Sequence, residues 1–191
     1  MFLRFGIKSV SMDDICRTMG ISKKTLYQHV ANKNELIGKI LDNHVEDECK
    51  IMDELKERAM DPIHAMVLIS RYVTKIIGKM SPNTMYDLRK YYRETWKSFE
   101  KARNKMILQS IRENLQQGIN DGLYRSDIDL DLLSALYLRM ATFITDENLE
   151  QTASRRVQLY VEFIRYHIRG ISTDKGLSTL EKYEHLLKEI A

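Results

Sequence analysis

Apolar residues recur at helical spacing along almost the whole chain, and no segment sustains the period-two alternation of a half-buried strand. The pattern predicts helices over 12–19, 23–29, 34–58, 62–79, 83–91, 93–120, 129–145, 149–169 and 177–189, and therefore an all-α protein. Both prolines agree with it. Asp61-Pro62 and Ser81-Pro82 each set a capping side chain before a residue whose missing N–H would have no helical partner anyway.

Three of these helices carry more specific patterns. The segment 62–79 is apolar over most of its circumference, through Ile63, Met66, Val67, Leu68, Ile69, Val73, Ile76 and Ile77, which predicts a central, buried helix. Val157, Val161, Ile164, Ile168 and Ile171 alternate spacings of four and three, and Leu133, Leu136, Met140 and Phe143 repeat that seam in the preceding helix. Leu159, Phe163 and Tyr166 add apolar surface on another side. Two such helices suit a four-helix bundle across a twofold axis, with Leu136, Met140, Val157, Val161, Ile164 and Ile168 as the dimer interface; packing within one chain would use the same seam.

The stretch "SMDDICRTMGISKKTLYQHVANKNEL", residues 11–36, holds three helix starts and one stop. Ser11 with Asp14 reads as a capping box in which Asp replaces Glu, Gly20 supplies a left-handed stop, Ser22 caps the next helix, and Asn32 with Glu35 opens a third. Helix, tight turn, helix is the helix-turn-helix layout, although a plain αα-corner shares it. Ile15, Met19, Ile21 and Leu26 have the spacing for a small shared core. Lys23, Lys24, Thr25, Gln28 and His29 then fall on the outer face of the second helix, where such side chains suit base edges and phosphates in a DNA major groove. His29 would serve equally as a helix C-terminal cap. Lys33 stands at the entry to the third helix, where a cation and free backbone N–H groups together suit one phosphate.

Charge sharpens this picture. The net charge is +3, but residues 1–40 hold seven bases against three acids, and the other 151 residues hold 23 bases against 24 acids. From Ile15 to Asn34 there is no acid at all. A basic excess confined to one end favours a polyanionic partner, though an ordinary solvated face has the same composition.

Residues 2–36 resemble the DNA-binding domain of TetR-type transcriptional regulators. "FLRFG" is similar to the end of that domain's first helix, "SVSMDDICRTMGIS" to its second helix and turn, and "KKTLYQHVANKNEL" to its recognition helix and the start of the fourth. The resemblance implies that Thr25, Tyr27, His29 and Lys33 lie against the DNA backbone while neighbouring positions read bases; a half-buried core role for Tyr27 is the alternative. Val30 departs from the family's usual Phe. The first helix looks truncated, with only Met1 to Phe5 before Gly6. The resemblance also implies an effector pocket among the later helices. The stripe Trp96, Phe99, Arg103, Met106 sets a cation in an apolar row, and Tyr72 and Tyr137 complete the candidate lining. Arg103 would otherwise snorkel or pair with an exposed acid.

The expected organisation is an N-terminal three-helix helix-turn-helix domain at 1–45, its first helix truncated, followed at 46–191 by a larger helical ligand-binding and dimerisation domain. The expected function is a homodimeric, ligand-responsive repressor that reads double-stranded operator DNA and responds to a small hydrophobic or amphipathic effector. The alternative is an all-helical protein-interaction module without specific DNA binding. Neither catalysis, metal nor cofactor is expected: Cys16 and Cys49 lie outside any ligand spacing, and His44, His64, His167 and His185 lack partners at triad or ligand spacing. The ten methionines read as adaptable core filling. No apolar run approaches a membrane span and no leader is visible, so a soluble, cytoplasmic chain is expected.

Overall fold

The computed structural model describes residues 1–77, 82–145 and 152–189. Its helices are α1 (Phe2–Phe5), α2 (Met12–Met19), α3 (Lys23–His29), α4 (Lys33–Arg58), α5 (Pro62–Ile77), α6 (Pro82–Tyr91), α7 (Arg93–Asn120), α8 (Leu130–Thr145), α9 (Ala153–Ile171) and α10 (Asp174–Lys188). Most boundaries fall within a residue or two of those predicted. The ends expected at 78–79 and the start expected at 149 lie outside the described residues. Helix α10 starts three residues earlier than predicted, because Thr173 caps it by accepting a hydrogen bond from the Gly176 N–H at 3.2 Å. The single turn of α1 before Gly6 stands where the resemblance places the end of a truncated first helix.

The chain divides into two compact units, one of Met1–Glu48 with Met80–Arg103 and the other of Cys49–Lys79 with Asn104–Ala191. The sequence boundary at 45/46 is close to the first division, but segment 80–103 joins the N-terminal unit and not the C-terminal one. The reason is apolar packing: Leu88, Trp96 and Phe99 close over Ile7 and Ile37. A second small core in this unit gathers Val10, Ile15, Cys16, Leu26 and Val30, with Ile21 and Leu36 at its edge.

The other unit holds the larger core. Helix α5 packs on α9 and α10, and α8 packs on α9. Ile63 and Val67 of α5, Leu115 of α7, Val161, Ile164 and Ile168 of α9 and Leu187 of α10 are all fully buried there. The all-round apolar pattern of α5 thus has the central placement it predicts. Asp61, just before α5, accepts a 2.6 Å hydrogen bond from the Tyr183 hydroxyl, and His64 stacks on the Tyr183 ring with centroids 4.4 Å apart.

One buried group makes this unit sensitive to acid. His167 packs edge-on to Tyr137, its Nε2 has no hydrogen-bond partner among the described residues, and burial pushes its pKa down to about 4. The unfolded chain takes up this proton near pH 6.5 and the folded chain does not, so stability is complete above about pH 6.5 and falls as pH drops toward 4. At about pH 4.5 the loss from this residue is expected to be 2 to 3 kcal/mol. Urea melts of His167→Leu and the parent near pH 7 and pH 4.5 test it; an equal acid-induced loss in both proteins would exonerate His167.

Candidate nucleic-acid interface

Residues 11–36 form two short helices held at every end by local hydrogen bonds. Ser11 Oγ accepts from the Asp14 N–H at 3.1 Å, and Asp14 Oδ2 accepts from the Ser11 N–H at 2.9 Å, so the capping box with Asp is closed. The Ser11 hydroxyl also donates to Asp14 Oδ2 at 2.6 Å, and that bond first, then the one from the Ser11 N–H, holds the Asp14 carboxyl below the usual carboxylate range. Gly20 adopts φ 65°, the left-handed conformation that a side chain would strain. Ser22 then accepts from the Thr25 N–H at 3.0 Å and starts α3. Leu26 is buried under α3, and Val30, at its end, fills the same core, so the smaller side chain still closes the domain.

The outer face of α3 carries Lys24, Thr25, Tyr27, Gln28 and His29, all exposed. Tyr27 is 48 % exposed and belongs to neither apolar core of this unit. The Thr25 hydroxyl lies 2.8 Å from Ser22 Oγ, and Lys23 pairs with Asp13 at 2.8 Å, an exposed bridge that raises the Lys23 pKa. Lys33 departs from expectation. Its Nζ points inward, donating to the Ile7 carbonyl at 2.5 Å over the Phe2 ring, and desolvation lowers its pKa.

The remaining candidates are sorted by burial. Val161, Ile164 and Ile168, expected at a dimer interface, are 0 % exposed within a single chain. That expectation is corrected: the seam meets α5 and α10, which leaves those three side chains no surface to offer a second copy. Val157 is half-buried against the same core. Leu136 and Met140 are exposed, in a row with Leu132 and Phe143 on α8 and beside Tyr166 on α9. Leu132, Leu136, Met140 and Tyr166 border an open groove of about 870 Å³ that is also lined by Tyr137, Phe163 and His167 and by the charged Arg125, Asp127, Asp129 and Arg169.

The six candidate pocket residues are not gathered into one cluster. Trp96 and Phe99 lie in the core of the N-terminal unit, the Trp96 ring under the Arg89 guanidinium at 5.2 Å, whereas Tyr137 lies in the core of the other. Arg103 is half-buried at the end of the first unit; Tyr72 and Met106 are half-buried in the second. The stripe from Trp96 to Met106 spans about 15 Å of α7 and crosses the division between Arg103 and Asn104, so its residues serve different units.

Comparison with known proteins bears on this arrangement. Residues 1–40 match the family model described as bacterial regulatory proteins, tetR family. The HTH-type transcriptional repressor KstR2 of Mycolicibacterium smegmatis is 23 % identical over 154 residues, covering 76 % of this chain and 72 % of that protein. The N-terminal residues 1–40 are thus similar to the DNA-binding domain of the tetR family. In fold it is similar to the ketosteroid transcriptional regulator KstR2 of Mycobacterium tuberculosis, with a TM-score of 0.57 and 20 % identity over 91 % of this chain and 90 % of that one. It is also similar to reduced NemR of E. coli, with a TM-score of 0.72 and 10 % identity over 90 % and 91 % of the two chains. Among the described residues no helix is long and apolar enough to cross a membrane.

The TetR-type domain of this chain also uses residues that the sequence did not point to. Asp87 of α6 accepts a 2.8 Å hydrogen bond from the Lys8 N–H, pinning the turn that leads into α2. Lys39 donates to the His29 carbonyl at 2.6 Å and pairs with Glu35 at 3.0 Å, fixing the end of α3 against α4. The first contact joins residues 79 apart and has no sequence signal. The second had one, since Glu35 and Lys39 stand at the i, i+4 spacing of a helical ion pair.

Proposed function

We propose that this chain is a TetR-type regulator, a homodimeric repressor that binds a pseudo-palindromic operator through α3 and releases it when a small apolar or amphipathic effector binds the C-terminal unit. The carrying observation is the exposed row Lys24, Tyr27, Gln28 and His29 on a helix fixed at both ends. Lys24 and Gln28 suit base edges and phosphates, Tyr27 and His29 the backbone, and the N-terminal residues of α3 enter the groove first. Thr25 and Lys23 join them once the Ser22 contact and the Asp13 pair give way. Two copies set about one helical turn apart, ~34 to 36 Å, would read both half-sites. The chain is read as a regulator and not an enzyme, working where bacterial DNA is, in the cytoplasm.

The twofold contact is assigned to the exposed row Leu132, Leu136, Met140 and Phe143 with Tyr166, since exposed apolar side chains gathered on one face mark interaction surfaces. Helix α4 runs from the first unit into the second, a continuous path along which an effector could bias the spacing of the two α3 helices. The shift in operator affinity then equals the effector's preference between the two spacings.

Selection from random duplexes followed by fluorescence anisotropy at several salt concentrations tests the reading. A steep salt dependence and an enriched palindrome are expected; shallow dependence with no preferred sequence would leave the protein-interaction module. Lys24→Ala is expected to weaken binding and lower the salt slope by roughly 2 per dimer, one phosphate from each copy. Lys33→Ala is expected to leave the slope in place, because its ammonium is engaged with Ile7. A reversed pattern would return Lys33 to the phosphate and remove Lys24 from it.

A further inference from the structure

We propose that Arg156 is the anchor for a carboxylate on the effector, so that the effector is an amphipathic acid; this deepens the effector-responsive reading above and rests on it. Arg156 lies near the start of α9 with 5 % of its surface exposed, and its Nε has no hydrogen-bond partner among the described residues. Other arginines of this unit meet acids: Arg71 holds Glu189 at 3.1 Å, Arg165 and Arg169 hold Glu184 at 3.4 and 3.1 Å, and Arg125 holds Asp127 at 3.6 Å. Arg156, the most deeply buried of these, pairs with no acid among the described residues. A guanidinium keeps its proton when buried, so an anion set against it offsets the desolvated charge more fully than a neutral acceptor does.

Its position on the helix adds to the imbalance. Helix α9 starts at Ala153 behind the Thr152 cap, so Arg155 and Arg156 place two cations at the end of the helix dipole that favours anions. Neighbouring groups are donors as well. Tyr160, one turn on from Arg156, sets its hydroxyl 3.4 Å from that of Tyr137. A planar guanidinium with hydroxyl donors close by matches the two oxygens of a carboxylate.

The test is thermal denaturation of the full chain with dodecanoate, 4-phenylbutyrate and cholate, each beside its methyl ester, in the parent and in Arg156→Met. Without ligand the variant is expected to melt at or above the parent, since an uncompensated buried charge has gone. At least one acid is expected to raise the parent's Tm by about 5 °C or more at a hundredfold excess over its Kd, its ester not. Arg156→Met should lose that shift and Arg156→Lys keep part of it. A variant that melts well below the parent, acids and esters that act alike, acids that act equally on Arg156→Met, or acids that do nothing would each overturn the proposal. Operator binding measured alongside separates the two readings: a protein that holds its operator without responding to acids keeps the regulator reading and loses this site, and the converse result does the opposite.

Discussion

Leu136→Glu is expected to yield a folded monomer that has lost its operator, and Ile164→Glu a chain whose C-terminal unit does not fold. The two positions stood together in the sequence pattern, and burial separates them. Leu136 is 58 % exposed, so in the monomer a carboxylate there stays in water and changes stability by no more than about 0.5 kcal/mol. Across a twofold interface the same charge is buried without a partner, which costs about 3 kcal/mol or more and raises the dimer Kd at least a hundredfold. Ile164 is 0 % exposed against the other apolar residues of that core. A carboxylate there removes the packing of a buried Ile and must hold either a charge or a shifted proton, a penalty of about 5 kcal/mol or more against a total stability of 5 to 15 kcal/mol. Sedimentation and circular dichroism separate the outcomes. A dimeric Leu136→Glu protein would move the interface off this face, and a folded, monomeric Ile164→Glu protein would restore the seam first expected there.

Gly118→Ala is expected to destabilise the C-terminal unit by at least about 3 kcal/mol, although a mid-helix Gly normally costs about 1 kcal/mol relative to Ala. A Cβ at Gly118 would stand 2.0 Å from Tyr124 Cδ2, and Tyr124 is only 2 % exposed. The ring has nowhere to go. Its hydroxyl donates to Asn114 Oδ1 at 3.1 Å, Asn114 donates to the Pro62 carbonyl at 2.7 Å, and the Leu123 and Tyr124 N–H groups both donate to the Gly118 carbonyl. Urea unfolding of the variant checks the sign. A stabilised variant would show that the ring does not need the space.

The helix ends of the helix-turn-helix were legible because their determinants are local, whereas Met19, expected in its core, is 63 % exposed. Ser11 with Asp14, Gly20, and Ser22 with Thr25 act within four residues of one another, and such hydrogen bonds are set by side-chain type and spacing alone. The orientation of Lys33 was not legible. A lysine at a helix entry reads as a phosphate ligand until the Ile7 carbonyl and the Phe2 ring, about 26 and 31 residues away, are brought beneath it.

By itself the sequence determined the helical class, nearly all helix boundaries among the described residues and the exposed face of α3, since period, caps and charge are properties of a few consecutive residues. Only the tertiary structure decided which side of an apolar helix is core. A seam such as Val161, Ile164 and Ile168 must be buried somewhere, but its period is silent on whether α5 and α10 or a second chain does the burying. The same limit divided Trp96 and Phe99 from Tyr137, and it hid both the exposed row of Leu136 and Met140 and the enclosed charge of Arg156. Each depends on which elements, distant in sequence, meet in space, and apolar attraction carries no direction that a sequence pattern could record.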